Sequence, residues 1–259
     1  MKVYIATDLE GISGVTVWEQ TREKGHPLYQ EARVLLTREV NAAVAGCLRG
    51  GADEVVVLDG HGGGFNLVPE ELHPGASYVT GPGRPALAGL DESFDAAIFL
   101  GYHAMAGTPD AVLAHTQSSK AGCRYWYNGR ESGEIAQHAI LCGAAGVPVV
   151  MVTGDEAACR EARAFLGERV VTVAVKRAFG LTCSQMLAPR RARERIEHAA
   201  AEALGRVADI APYRVELPIR ARLQFATQEA AAGRGSLSQR LDDRTFERTI
   251  EDPREVLKF

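Results

Sequence analysis

Two acids stand where the first apolar run of the chain stops. Lys2-Val3-Tyr4-Ile5-Ala6-Thr7 is followed by Asp8, Leu9 and Glu10. Side chains two apart on an extended chain share a face. Two carboxylates on one face repel each other unless a cation lies between them, so the pair reads as part of a metal site or as a solvated strand end. Histidines follow two further apolar runs. Asp59-Gly60-His61 comes after Glu54-Val55-Val56-Val57-Leu58, and His103 comes after Ala96-Ala97-Ile98-Phe99-Leu100-Gly101-Tyr102. Imidazole and carboxylate together are an ordinary ligand set for a metal ion. The plainer alternatives are a turn histidine bonded to Asp59 and a packed core histidine. Glu134 and His138 lie one helical turn apart and share a face. Either could be a ligand; Glu134 could instead favour the positive end of its helix, and His138 could orient a ligand. His115 follows Ala111-Val112-Leu113-Ala114, and spacing leaves metal binding, proton transfer and packing all open. Two other ideas are weak. Gly60 to Gly64 lacks the lysine and spacing of a phosphate-binding loop. Ser118 and Ser119 sit in no nucleophile elbow.

These residues need a frame that delivers them to one place. Apolar runs alternate with helical patterns: a helix from Pro27 to Arg49 closed by Gly50-Gly51, another from about Ser132 to Ala145, and a buried strand from Val147 to Thr153. Short buried strands separated by helices imply a mostly parallel sheet covered on both faces, with ligands at the carboxyl ends of the strands. Asp8, Glu10, Asp59, His61 and His103 all fall at such ends. Asn128-Gly129 predicts a hairpin turn. From about residue 176 the character changes. A basic helix begins near Arg190, its arginines interleaved with Glu194 and Glu197 as on a solvated face. Val215 to Phe225 then alternates as a half-buried strand, which Pro218 would place at a sheet edge or bulge. Gly233 to Ser236 reads as a surface loop. The expected fold class is α/β, a three-layer αβα core over residues 1–175 with a smaller C-terminal α/β unit over 176–259.

Composition narrows the function. The 259 residues carry a net charge of −4 and are 46% hydrophobic. That is ordinary for a globular protein and lacks the basic excess of a nucleic-acid surface. No apolar run is long enough to span a bilayer, and Lys2 leads straight into strand pattern without a leader. Five cysteines without any C-x-x-C spacing read as reduced thiols, so a cytoplasmic protein is expected.

Several segments together resemble the zinc-dependent D-aminopeptidases. Asp8-Leu9-Glu10-Gly11 is similar to their S-x-D-x-E-G signature, with Ala6 in place of the usual serine. The likeness continues at Asp59-Gly60-His61, Leu72-His73-Pro74, Gly101-Tyr102-His103, Ala114-His115, Gly133-Glu134 and Thr153-Gly154-Asp155, and it fades beyond Val215. Gly62-Gly63-Gly64 is richer in glycine than the family pattern. The resemblance implies two zinc ions held by Asp8 as the bridging acid, Glu10, His61, His103 and Glu134, with His115 as the catalytic residue. It thus favours Glu134 over His138. It also implies a ring-based homodecamer, and short peptides beginning with a D-amino acid, such as D-Ala-D-Ala, as substrates. A second reading keeps the two metals and turns over another small amide or phosphoester. A third is a metal-bearing binding domain without activity, which would have no need of His115.

Overall fold

A computed structural model describes residues 1–232 and 238–258. The central strand β1 (Lys2–Thr7) is buried on both sides, and its alternation explains the layers. Val3 and Ile5 face one hydrophobic core, Tyr4 and Ala6 the other. Beside it lie β2 (Glu54–Leu58), β3 (Ser77–Val79) and β4 (Ala96–Tyr102). Past a hairpin, β5 (Arg124–Tyr127) and β6 (Arg130–Ser132), the chain returns to the sheet as β7 (Val149–Asp155), β8 (Val171–Gly180) and β9 (Cys183–Met186). The seven strands run in the order β3-β2-β1-β4-β7-β8-β9, all parallel except the antiparallel edge strand β9.

Helices cover both faces. A short α1 (Glu19–Arg22) precedes α2 (Pro27–Arg49), whose start is set by Pro27 in the first turn and by His26, which accepts a hydrogen bond from Leu28 N. Its buried face, Leu36, Val40, Ala43 and Val44, packs with Ile196 and Ala200 of α5 (Pro189–Leu204) over Val3 and Ile5. On the opposite face, α3 (Glu134–Ala144) and α4 (Glu156–Leu166) bring Ile135, Ala139, Ala158 and Ala162 against Tyr4 and Phe99. The expected αβα core is therefore present. Among the described residues no helix is long and apolar enough to cross a membrane.

A second sheet has the order β11-β12-β10-β5-β6. It is built from the β5–β6 hairpin and from β10 (Ile219–Gln224), β11 (Gln239–Arg240) and β12 (Thr245–Ile250). A small helix, α6 (Gln228–Ala231), follows β10. Two expectations need correction here. Residue 176 falls inside β8, so a boundary there does not divide the structure; β8, β9 and α5 all belong to the large layered core, and the small sheet draws on two separate stretches of chain. Nor is β10 an edge strand. It pairs with β12 and β5, because Pro218 precedes its first residue and removes no hydrogen bond from its interior. The hairpin turn is as expected, with Asn128 and Gly129 both at positive φ, 51° and 81°. The loop expected at Gly233 to Ser236 lies outside the described residues.

Candidate metal centre

Strand ends are locked together before any side chain reaches the site. Asp8 N donates to Leu100 O at 2.8 Å, and Gly11 N to Gly101 O at 2.7 Å. A Cβ on Gly60 would lie 2.0 Å from the Thr7 carbonyl oxygen, so only glycine lets β2's exit approach β1 this closely. Gly101, at φ +76°, meets Asp8 O in the same manner. The backbone therefore holds Asp8, His61 and His103, from three strands, at neighbouring positions.

The side chains converge. His61 Nδ1 lies 2.9 Å from Asp8 Oδ1 and 3.0 Å from Glu10 Oε2, and its Nε2 is 2.8 Å from the Thr21 carbonyl. His103 Nε2 lies 3.3 Å from Asp8 Oδ2 and 3.5 Å from Glu134 Oε1. All five residues expected as ligands thus meet at one rim of the sheet, with Asp8 between the two histidines. His61 does not turn back to Asp59, which instead binds Asn66 and Thr80. His103 is not a satisfied core histidine: its Nδ1 meets Ala104 O, but its Nε2 is buried without a hydrogen-bond partner. Glu10 Oε2 is also buried and lacks a well-directed hydrogen bond.

His115 stands beside this cluster. Its ring stacks on His103 with centroids 4.0 Å apart, its Nδ1 is 2.8 Å from Leu113 O, and its Nε2 is 3.9 Å from Glu134 Oε1. Glu134 opens α3 and accepts from Gln117 N at 2.7 Å. His138 lies deeper, with Nδ1 2.6 Å from the Tyr102 hydroxyl. Ser118 and Ser119 are engaged elsewhere: Ser118 Oγ accepts from Ala121 N, and Ser119 Oγ accepts from Arg22 Nε.

The electrostatics follow from burying three carboxylates together. Burial and the neighbouring Glu10 push the Asp8 carboxyl up to about 7. Burial works against the ionised form of Glu134, but the adjacent His103 imidazolium overcomes it and holds the carboxyl down to about 2. Conversely, the His103 imidazolium is raised to about 10 by Glu134 despite its burial. Burial, then the charge of His103, lowers His115, and burial drops His138 to about 4. Without a metal, protons on His61 and His103 offset the buried acids. Divalent cations would supply the same charge and release those protons.

The donor set fits metal. Asp8, Glu10 and His103 offer ligand atoms within 4.8 Å of one another, and so do His103, His115 and Glu134. Nitrogen and oxygen donors, with buried lone pairs left unpartnered, are what a zinc site requires. A cavity of about 230 Å³ opens above them, lined also by Arg22, Tyr102, Gln117 and Ser119. Sequence reasoning missed Arg22 and Gln117. Neither belongs to a spacing pattern: Arg22 ends the short helix α1 and Gln117 lies in a loop, and tertiary packing brings both to the cavity.

The D-aminopeptidase family profile matches residues 1–259. A D-aminopeptidase of Bacillus subtilis (strain 168) is 38% identical over 207 residues, 79% of this chain and 74% of that protein. Among solved structures, the Zn-dependent D-aminopeptidase DppA from Bacillus subtilis, described as a self-compartmentalizing protease, is similar with a TM-score of 0.93. Its sequence identity is 31%, and the match covers 100% of this chain and 94% of that one.

Proposed function

The chain belongs to the D-aminopeptidase family, and from that premise we propose a zinc metallopeptidase that releases the N-terminal D-residue of short peptides, D-Ala-D-Ala-like in character. The observation that carries this reading is the convergence of Asp8, Glu10, His61, His103 and Glu134 around two buried, unpartnered donor atoms. Two zinc ions per subunit would be held by these residues, the two oxygens of Asp8 lying toward different histidines. When bound, zinc polarises a carbonyl and acidifies water, which supplies electrophile and nucleophile at neutral pH.

The remaining chemistry belongs to the protein. His115 is the catalytic residue in this reading. The Leu113 carbonyl accepts from Nδ1–H, leaving Nε2 as the atom that faces the cavity and exchanges a proton. Its lowered pKa keeps it neutral, so it can accept a proton near pH 7 and return it to the leaving amine. Stacking on His103 and the edge contact with Trp18 fix the ring plane. His138, neutral and bonded to Tyr102, orients the floor of the site.

By the same reading the protein is a homo-oligomer, a decamer as the resemblance implies, and works in the cytoplasm, where five cysteines without any C-x-x-C spacing suit the reducing conditions. Light scattering on the purified protein tests the first point; a mass ten times the protomer's is expected. Metal analysis combined with a panel of D- and L-dipeptides and a phosphoester tests the activity. Stoichiometric zinc with turnover of D-dipeptides is expected. Phosphoester turnover alone, or zinc without turnover, would replace this reading with another hydrolase or with a binding domain.

A further inference from the structure

Arg22 is the last residue of α1 and lines the cavity above the proposed metal ligands, where it is the only lysine or arginine among the described residues. Its placement is fixed by three contacts. Nε donates to Ser119 Oγ at 2.9 Å, one Nη donates to Ser119 O at 2.8 Å, and the guanidinium carbon lies 3.4 Å over the Trp18 ring. Trp18 in turn meets the edge of His115, so the clamp sits beside the catalytic imidazole. Among the described residues no carboxylate lies within 4 Å of Arg22, although other arginines of the chain commonly have one. The remaining guanidinium N–H groups have no partner there either.

An arginine held rigidly at the rim of a small cavity, with donors left over, is built to receive an anion. Guanidinium is the side chain best shaped to pair with a carboxylate. The charges of Glu10 and Glu19 act on the guanidinium without forming an ion pair with it. Resting on the aminopeptidase reading above, we infer that Arg22 binds the C-terminal carboxylate of the substrate, so that peptides with a free C-terminal carboxylate are preferred over C-terminally blocked ones. In a dipeptide the carboxylate is one residue from the scissile bond. Arg22 and the proposed ligands Asp8, Glu10, His61 and Glu134 line the same cavity of about 230 Å³. Ser119 and Trp18 act as positioning residues: they immobilise the guanidinium before substrate arrives, which lowers the entropic cost of the ion pair.

Steady-state kinetics on the zinc-loaded protein test this with D-alanyl-D-alanine and D-alanyl-D-alaninamide, which differ only in the carboxylate. The wild type should prefer the free acid in kcat/KM. Arg22→Ala should reduce that preference by ~10- to 100-fold, the range of charge-assisted hydrogen bonds, and mainly through KM. Arg22→Lys should restore part of it, since the charge returns without the fork. Equal kcat/KM for acid and amide in the wild type overturns the inference and leaves the aminopeptidase reading standing. So does an Arg22→Ala variant that loses both substrates in the same proportion. No turnover of either substrate by zinc-loaded wild type overturns the aminopeptidase reading and this inference with it.

Discussion

His115 shows what residue types alone can and cannot tell. Its neighbours in sequence left binding, proton transfer and packing open, and the fold places it on the cavity lining with Nδ1 on Leu113 O and Nε2 3.9 Å from Glu134 Oε1. Replacement by alanine should therefore leave zinc stoichiometry unchanged and lower kcat by ~10²- to 10⁴-fold, the usual contribution of a positioned acid–base group. Metal analysis and single-turnover assays of the same preparation measure both. Loss of zinc along with activity would make His115 a ligand instead, as its distance from Glu134 permits. Asp8 and Glu10 were legible because a two-residue period on a strand is a geometric fact. Glu134 and His138 were not separable by their helical spacing. Only the packing of α3 shows that Glu134 reaches His103 while His138 turns to Tyr102.

At the scale of elements, the loop after β1 needs an explanation that no motif provides. It carries Glu10, and its carbonyls at Glu10, Ile12 and Val15 all accept from Lys176 Nζ of β8, a lysine only 3% exposed. Glu39 of α2 accepts from Ser13 N at 2.9 Å. Burial lowers Lys176 to about 8 and raises Glu39 to about 8. Lys176→Met would leave three carbonyls without a donor. It should cost about 3–5 kcal/mol of stability, since buried unsatisfied groups each cost roughly 1–3 kcal/mol, and it should weaken zinc binding through Glu10. Urea unfolding and zinc titration check the two effects; unchanged zinc affinity would mean that the loop is positioned by other contacts. Another buried acid, Glu161 of α4, accepts from Met105 N and ties down the turn after His103. Burial raises it to about 7 from an ordinary value of 4.5. Between those values the unfolded chain releases a proton that the folded protein keeps. Its contribution to stability is full below pH 4.5 and is lost as pH rises to 7, on the order of 3 kcal/mol. Unfolding of metal-free protein at pH 5 and pH 7.5 should show a smaller decline in Glu161→Gln than in wild type. Helices and strands in this core could be read from the sequence because capping residues and apolar periods mark them locally. Lys176 and Glu161 could not: a lone charge inside a strand or helix pattern looks like surface until its neighbours are known.

For the whole molecule, the hardest thing to read was how the last third joins the first. The smaller sheet pairs Tyr125 with Leu223 and Tyr127 with Ala221, and no local pattern announces a partner that far along the chain. The join is also a physical link to the metal site. Tyr127 lies on β5, and its hydroxyl donates to Val256 O at 3.2 Å and accepts from Gln137 Nε2 at 3.0 Å. Gln137 Oε1 accepts from Gln117 Nε2 at 2.9 Å, and Gln117 N donates to Glu134 Oε1. The C-terminal turn is thus connected through one tyrosine and two glutamines to Glu134, a proposed metal ligand. Each buried member needs its neighbour to stay satisfied, so the network acts as a unit. Tyr127→Phe keeps the ring in its apolar setting and removes only the hydroxyl. It should cost about 1–3 kcal/mol because a buried Gln137 N–H loses its acceptor. If the network holds Glu134 in place, the same change should weaken zinc binding, and Tyr127→Phe combined with Gln117→Ala should weaken it by less than the sum of the two separate effects. Strict additivity in zinc titrations would show that the small sheet supports the fold of α3 without orienting its ligand.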